Sequence, residues 1–537
     1  MSLIEQLANL VGFHTSYTGT FGDKVHAKDP AKRALLQAMG FELDEESLIK
    51  SISYLNNSQW TDILPVVHIA KIEEQQHTIK ISLPKIGSLL LNWKVTPEVG
   101  SKVGHEVVGV FNIADMQAIA ETTIDKTQYC QYLLHLPALE QGYYQFTISF
   151  GEAHASCSLI YAPKTCYSAQ EASVNKVWGY TAQLYSLRSE NNWGMGDFTD
   201  LSELVEKSAQ QQAATIGLNP LHPLYQHNPA HRSPYSPSSR CFLNPLYIDV
   251  TKVQNFQRCT LAQEKVKSDT FQLSIANAKA SNLVDYPAVA KLKFEITELL
   301  FEDFYQNMTS TSKNECYKNM SDEFEHFKQA NGTDLQRFAT FDALYEYFHL
   351  ANENSYGWPD WPTNFQDPDS EEVHKFKLSH AKRIDYFCFL QWIAHQQLSA
   401  VSQQTIDKNM AIGLYLDLAV GCDGSGFDVW SDKEVYVAGA SIGAPPDGMN
   451  PLGQNWGLTP MNPVALQKQG YQPLVKALRS SMQYAGALRI DHILGLMRQY
   501  WVAPGMEANE GVYISFPWDD ILRIIALESR RNNCVVI

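Results

Sequence analysis

Near residue 165 the hydrophobic pattern of the chain changes its period, and that change limits the folds open to it. From about 61 to 164, β-branched and aromatic residues come in short runs separated by turn residues. Seven such runs, at 66–70, 78–83, 89–95, 106–113, 129–136, 143–150 and 155–161, predict a small β-sandwich. Gly142 to Gly151 reads as a hairpin arm. Beyond 165 strands alternate with helices, the pattern of an α/β fold with a parallel sheet. Strands are expected at 178–187, 215–224, 412–420, 488–493 and 534–537, and a helix at 200–212. Residues 251–402 are mainly helical, with Ile384, Phe387, Cys388, Ala394, Leu398 and Val401 on one face, and Gly357 to Pro362 must form a rigid loop. Four complete strands and the start of a fifth fall short of the eight that close a (β/α)₈ barrel. Residues 1–60 read as short helices, with Leu3, Leu7 and Leu10 and then Leu35, Leu36 and Met39 at helical spacing. The expected organisation is a helical domain at 1–60, a β-sandwich at 61–164 and a partial barrel at 165–537 with a helical insertion at 251–402.

The net charge of −16, without any lysine- or arginine-rich run, disfavours nucleic acid and anionic membranes as partners. No apolar stretch reaches about 18 residues, and the first residues lack a basic segment followed by an apolar one, so neither a membrane span nor a secretory signal is expected. Nine cysteines without metal-ligand spacing fit reduced thiols and a cytoplasmic location. The 26 Tyr and 11 Trp would serve as sugar-stacking platforms, although most aromatic rings in a large protein simply fill the core.

The chemistry concentrates in Ala487-Leu488-Arg489-Ile490-Asp491-His492-Ile493-Leu494-Gly495. Strand alternation puts Arg489 and Asp491 on one face. The nearby guanidinium favours the charged carboxylate, and a carboxylate kept ionised at a pocket mouth suits attack on a sugar carbon. A salt-bridged pair at a strand end is the competing reading. Strict alternation points His492 away from Asp491, so a shared role requires the strand to end or bulge there.

Four segments in register resemble the amylomaltase, or 4-α-glucanotransferase, family of disproportionating enzymes. They are Gln183 to Ser189 with Trp193 to Phe198, Ser233 to Arg240 with Asn244-Pro245, Gly443 to Asp447 with Gly453 to Gly457, and Arg489 to His492 with Gly495 and Arg498. The region before 165 resembles the extra N-terminal domains of the larger members. The resemblance implies a (β/α)₈ barrel that works without cofactor or metal on a maltodextrin donor and a glucose or maltooligosaccharide acceptor. It implies Asp491 as nucleophile, Arg489 as the residue that fixes it, and His492 as a sugar ligand. It implies that Tyr235 and Ser236 line donor subsites, with a plain polar connector as the alternative. It places Asp447, Gln454, Asn455 and Trp456 on a long loop over the site, where Trp456 shapes acceptor subsites, against an ordinary surface loop. Asp417 matches a supporting position or else caps the next helix, and Asp197 is expected to brace its loop.

Retaining chemistry needs a second carboxyl group about 5–5.5 Å from the first. In the family this Glu follows the fifth strand, where the present sequence stops, and a third carboxylate comes later. Glu528 sits on a helix before that strand and reads as structural. The expectation is therefore a truncated chain, inactive alone. An α-glucan hydrolase and a non-catalytic maltodextrin-binding protein remain the alternative functions.

Overall fold

The computed structural model describes residues 1–20, 22–85, 87–100, 104–172, 176–308 and 315–537. They form two compact units, one of residues 1–168, 434–479 and 492–536, the other of residues 169–433, 480–491 and 537.

The first unit contains the β-sandwich. One sheet runs in the order Val67–Lys71, Ala153–Ala162, Gly142–Phe150, Leu90–Pro97, Val107–Asn112, and the other in the order His77–Pro84, Thr127–Leu136, Ala120–Ile124. The predicted arm is there, since Gly142–Phe150 pairs antiparallel with Ala153–Ala162. Alternation sends Ile79, Ile81 and Leu83 into a core shared with Phe146, Ile148 and Leu159. An eighth strand, Ala120–Ile124, escaped the pattern because Ala-Glu-Thr-Thr-Ile carries little apolar signal. Its tight turn explains it: Asp125 and Lys126 both have positive φ, 47° and 68°, as a two-residue hairpin requires.

Helices Leu3–Leu10, Asp29–Ala38 and Glu45–Thr61 precede the sandwich. Ser2 and Asp44 start the first and third by accepting the Glu5 and Ser47 amides. The helical expectation omitted an antiparallel pair, Ser16–Thr18 with Lys24–His26, too short to show a period. The helices bury Leu7, Leu35 and Leu36 against Val437, Trp501, Val512 and Ile514. Trp501, Val512 and Ile514 belong to an antiparallel sheet that includes, in order, Gln454–Thr459, Ser441–Ala444, Arg498–Val502 and Val512–Ser515. Glu528 is fully buried on helix Trp518–Arg531, where Arg479 donates to both of its oxygens at 3.2 and 2.9 Å.

The second unit holds parallel strands Gly179–Ala182, Thr215–Leu218, Gly413–Leu418 and Ala487–Ile490, paired in sequence order. Ile537 continues this order, its amide donating to Leu488 and its carbonyl accepting from Ile490, each at 2.9 Å. The strands are shorter than expected. Gly179–Ala182 gives way to a 3₁₀ turn at Leu184–Ser186, and Thr215–Leu218 stops before Pro220. Gly486 is obligatory before the fourth strand, since a Cβ there would lie 1.6 Å from the Ile412 carbonyl.

Helix Phe198–Gln210 starts at Asp197, which bonds the Thr199 and Asp200 amides in a capping box. Burial pushes the Asp197 carboxyl up to about 6, against the pull of Lys293 at 3.5 Å. The insertion is helical as expected, with Tyr286–Met308, Glu315–Ala351 and Ala381–Asp407 its longest members. Phe304 stacks on Phe389 and Phe324 meets Trp392 between them. Trp358 and Trp361 are buried, which anchors the loop around Gly357.

Candidate active site

The second unit gathers the carboxylates at the C-terminal ends of its parallel strands. Pairing sets Asp417 directly across from Arg489. One guanidinium nitrogen of Arg489 donates to both Asp417 oxygens at 3.0 Å. The other reaches the Asp491 carboxylate at 2.9 Å. A single planar fork thus joins a buried carboxylate to a partly exposed one, with side-chain exposures of 8% for Asp417 and 37% for Asp491. Asp417 caps no helix; the next one, Phe427–Ser431, begins at Gly426.

Burial pushes the Asp417 carboxyl above its usual range, and the hydrogen bond and charge of Arg489 oppose the shift. For Arg489, burial works against the charge, but Asp417 and then Asp491 outweigh it and raise its pKa. The guanidinium therefore stays charged between its two partners. Tyr235 is about half exposed and lies within the electrostatic reach of Asp417, Arg489 and Asp491. Its hydroxyl is raised first by burial and then by Asp417. Ser236 donates to Asp423 at 3.3 Å, so its hydroxyl braces its own loop.

Two residues of this group were absent from the sequence reading. Tyr415 lies two positions before Asp417 on the same strand and feels Arg489, Asp417 and Asp491. Alternation alone could have put it on that face. Asp423 accepts from Tyr225 at 2.8 Å and from the Ser425 amide at 2.8 Å, besides Ser236. No local motif announces it, because these partners come from distant segments.

The remaining candidates lie in the first unit. The strand ends at Ile490, and His492 takes a left-handed conformation, φ 51° and ψ 50°. The required strand break is thus present. His492 packs against Trp456 with ring centroids 4.7 Å apart and planes tilted by 39°. The expected long loop is instead a β-hairpin, in which Ser441–Ala444 and Gln454–Thr459 pair and residues 445–453 turn. The Gly-Pro pattern concealed the pairing because strand propensity is low on both arms. Gln454 accepts from the Trp456 indole at 3.1 Å, and Asn455 accepts from Ser441 at 2.6 Å and from the Gly457 amide at 3.0 Å. Asp447 accepts the Met449 and Asn450 amides at 2.8 and 2.6 Å, and those bonds hold its carboxyl below the usual range. The Asp447 and Asn455 oxygens brace the hairpin, and Gln454 orients the Trp456 ring.

Among the described residues no group of three or more His, Cys, Asp or Glu side chains is placed to hold a metal ion. No helix among them is long and apolar enough to cross a membrane.

A parallel sheet wound in sequence order, with paired charges at its C-terminal strand ends, defines an α/β protein of the (β/α) type with a carboxylate cluster. Comparison with known proteins narrows the class. Residues 182–537 match the glycoside hydrolase 77 family model, described as 4-alpha-glucanotransferase, and residues 63–163 match the MalQ N-terminal beta sandwich domain. The chain is 40% identical over 412 residues to a 4-alpha-glucanotransferase of Haemophilus influenzae, covering 75% of this chain and 58% of that protein. It is 30% identical over 550 residues to the 4-alpha-glucanotransferase of Mycobacterium bovis, covering 100% of this chain and 71% of the relative. The crystal structure of amylomaltase from Corynebacterium glutamicum superposes with a TM-score of 0.81 at 28% identity, over 99% of this chain and 71% of that one. The chain belongs to the 4-alpha-glucanotransferase family, and it spans between about three fifths and seven tenths of these relatives' lengths.

Proposed function

We propose that the chain serves transfer of α-1,4-glucan segments between maltodextrins by a retaining double displacement. Asp491 attacks the anomeric carbon of the donor, the glycosidic C–O bond breaks, and a covalent glycosyl intermediate forms on the carboxylate. The 4-hydroxyl of glucose or of a maltooligosaccharide then attacks the same carbon and releases Asp491. The observation that carries this reading is the shared guanidinium: Asp417 holds one nitrogen of Arg489, which leaves the other to fix a partly exposed Asp491. A carboxylate oriented in this way reaches the reaction geometry without ordering itself at each turnover.

Tyr235 and Tyr415 both feel this chain of charges, and we assign Tyr235 to the donor sugar. The paired Trp456 and His492 rings offer a stacking face, which we assign to sugar recognition. The leaving oxygen takes its proton from a second carboxyl group, which takes one back from the attacking 4-hydroxyl, a role assigned to no residue of the present sequence. Nine cysteines without a disulfide among them support residence in the cytoplasm.

Trapping tests the nucleophile. Incubation with a 5-fluoroglucosyl fluoride, followed by peptide mass mapping, should place one glycosyl adduct on the peptide containing Asp491, and Asp491→Asn should abolish it. An adduct on any other side chain refutes the assignment.

A further inference from the structure

We propose that the groove between helix Glu45–Thr61 and the sandwich is a second binding site for α-1,4-glucan. The ligand class rests on the glucan reading above; the site rests on its own geometry.

The groove has a volume of about 860 Å³ and lies wholly within the first unit. That size falls within the range of about 300–1,000 Å³ typical of small-molecule sites. Its lining comes from the helix, from strands Val67–Lys71, His77–Pro84 and Thr127–Leu136, and from Val464 and Gln467. Its apolar surface is open to solvent where a core would hide it. Tyr54 is 56% exposed, Val66 41% and Leu133 40%. The Tyr54 ring is not loose, because its hydroxyl donates to Asp62 at 3.3 Å. Polar groups also line the groove: Ser58 and Gln59 from the helix, Thr78 and Lys80 from the sheet, and Gln467.

A glucosyl unit has the matching chemistry. Its ring C–H faces are apolar and lie flat on an aromatic side chain, while its hydroxyls project around the rim and need donors and acceptors there. Lys80, Lys468 and Asp62 all line the groove, a mixed set of charges without a strong single sign, which suits a neutral chain. An amphipathic peptide helix would instead need an unbroken apolar stripe at i, i+3, i+4 and i+7 spacing. Here hydroxyl and amide groups share the lining with the apolar side chains. A polymer held on the first unit stays near the protein while its ends exchange, which raises their effective concentration at any other glucan site on the same chain.

Hydrogen exchange with maltoheptaose, measured by mass spectrometry on the 537-residue chain, tests the proposal. Peptides covering residues 51–62 and 78–82 should exchange at least about fivefold more slowly with the oligosaccharide present, in the wild type and equally in Asp491→Asn. Tyr54→Ala and Leu133→Lys, both at exposed positions, should each remove that protection and leave the thermal midpoint unchanged. Absence of protection, or protection that survives both substitutions, overturns the site. Failure of the trapping experiment at Asp491 leaves this binding result untouched, so the two readings fail separately.

Discussion

Asp197 and Asp417 show how burial decides what a carboxylate does here. Both are pushed upward by burial, and both have a cation within reach. Asp197 spends its acceptors on a helix N-terminus, whereas Asp417 gives both oxygens to one arginine nitrogen. For Asp197 the shift sets a pH dependence. The folded carboxyl titrates at about 6 instead of 3.8, so the native state binds the extra proton between those values. Wild-type stability, measured relative to Asp197→Asn, should therefore fall as pH rises from 3.8 to about 6 and then level off. Urea unfolding across this window reads the difference, and a rise would contradict the assignment. The ion-paired triad was only partly legible: Arg489 and Asp491 stand two apart in one motif, but their bond to Asp417 crosses 72 residues. Tyr415 needed only the period-two rule to be found, and Asp423 needed the fold.

At the level of elements, boundaries depend on backbone conformations that few residues tolerate. The strand carrying Arg489 ends because His492 turns left-handed, which redirects the chain immediately after Asp491. A β-branched side chain is strained in that conformation, so His492→Val should cost about 1–2 kcal/mol in unfolding free energy, and His492→Gly far less. The other end of the strand is fixed by contact. Gly486→Ala forces a methyl group into the Ile412 carbonyl and should destabilise the second unit by about 3 kcal/mol, seen as a lower denaturation midpoint. Periodicity found the helices and seven of the sandwich strands because each buries one face. It missed Ala120–Ile124 and the 441–459 hairpin, where pairing partners and turn geometry supply the order that composition does not.

Across the whole molecule none of the nine cysteines is joined in a disulfide, and six of them are buried. No cross-link restrains the unfolded chain, so calorimetric midpoints with and without reductant should coincide; a drop on reduction would reveal a disulfide. Local pattern by itself determined the β-sandwich, the parallel strand-helix order, the helical insertion and the Arg489–Asp491 motif, because each depends on a period or spacing within a short segment. Tertiary structure alone decided that helices of the first 60 residues share a core with residues 437–514, that Asp417 anchors Arg489, and that the Gly- and Pro-rich segment is a paired hairpin. Such contacts join residues tens to hundreds of positions apart, and their energy comes from burial and pairing that exist only once the chain has folded.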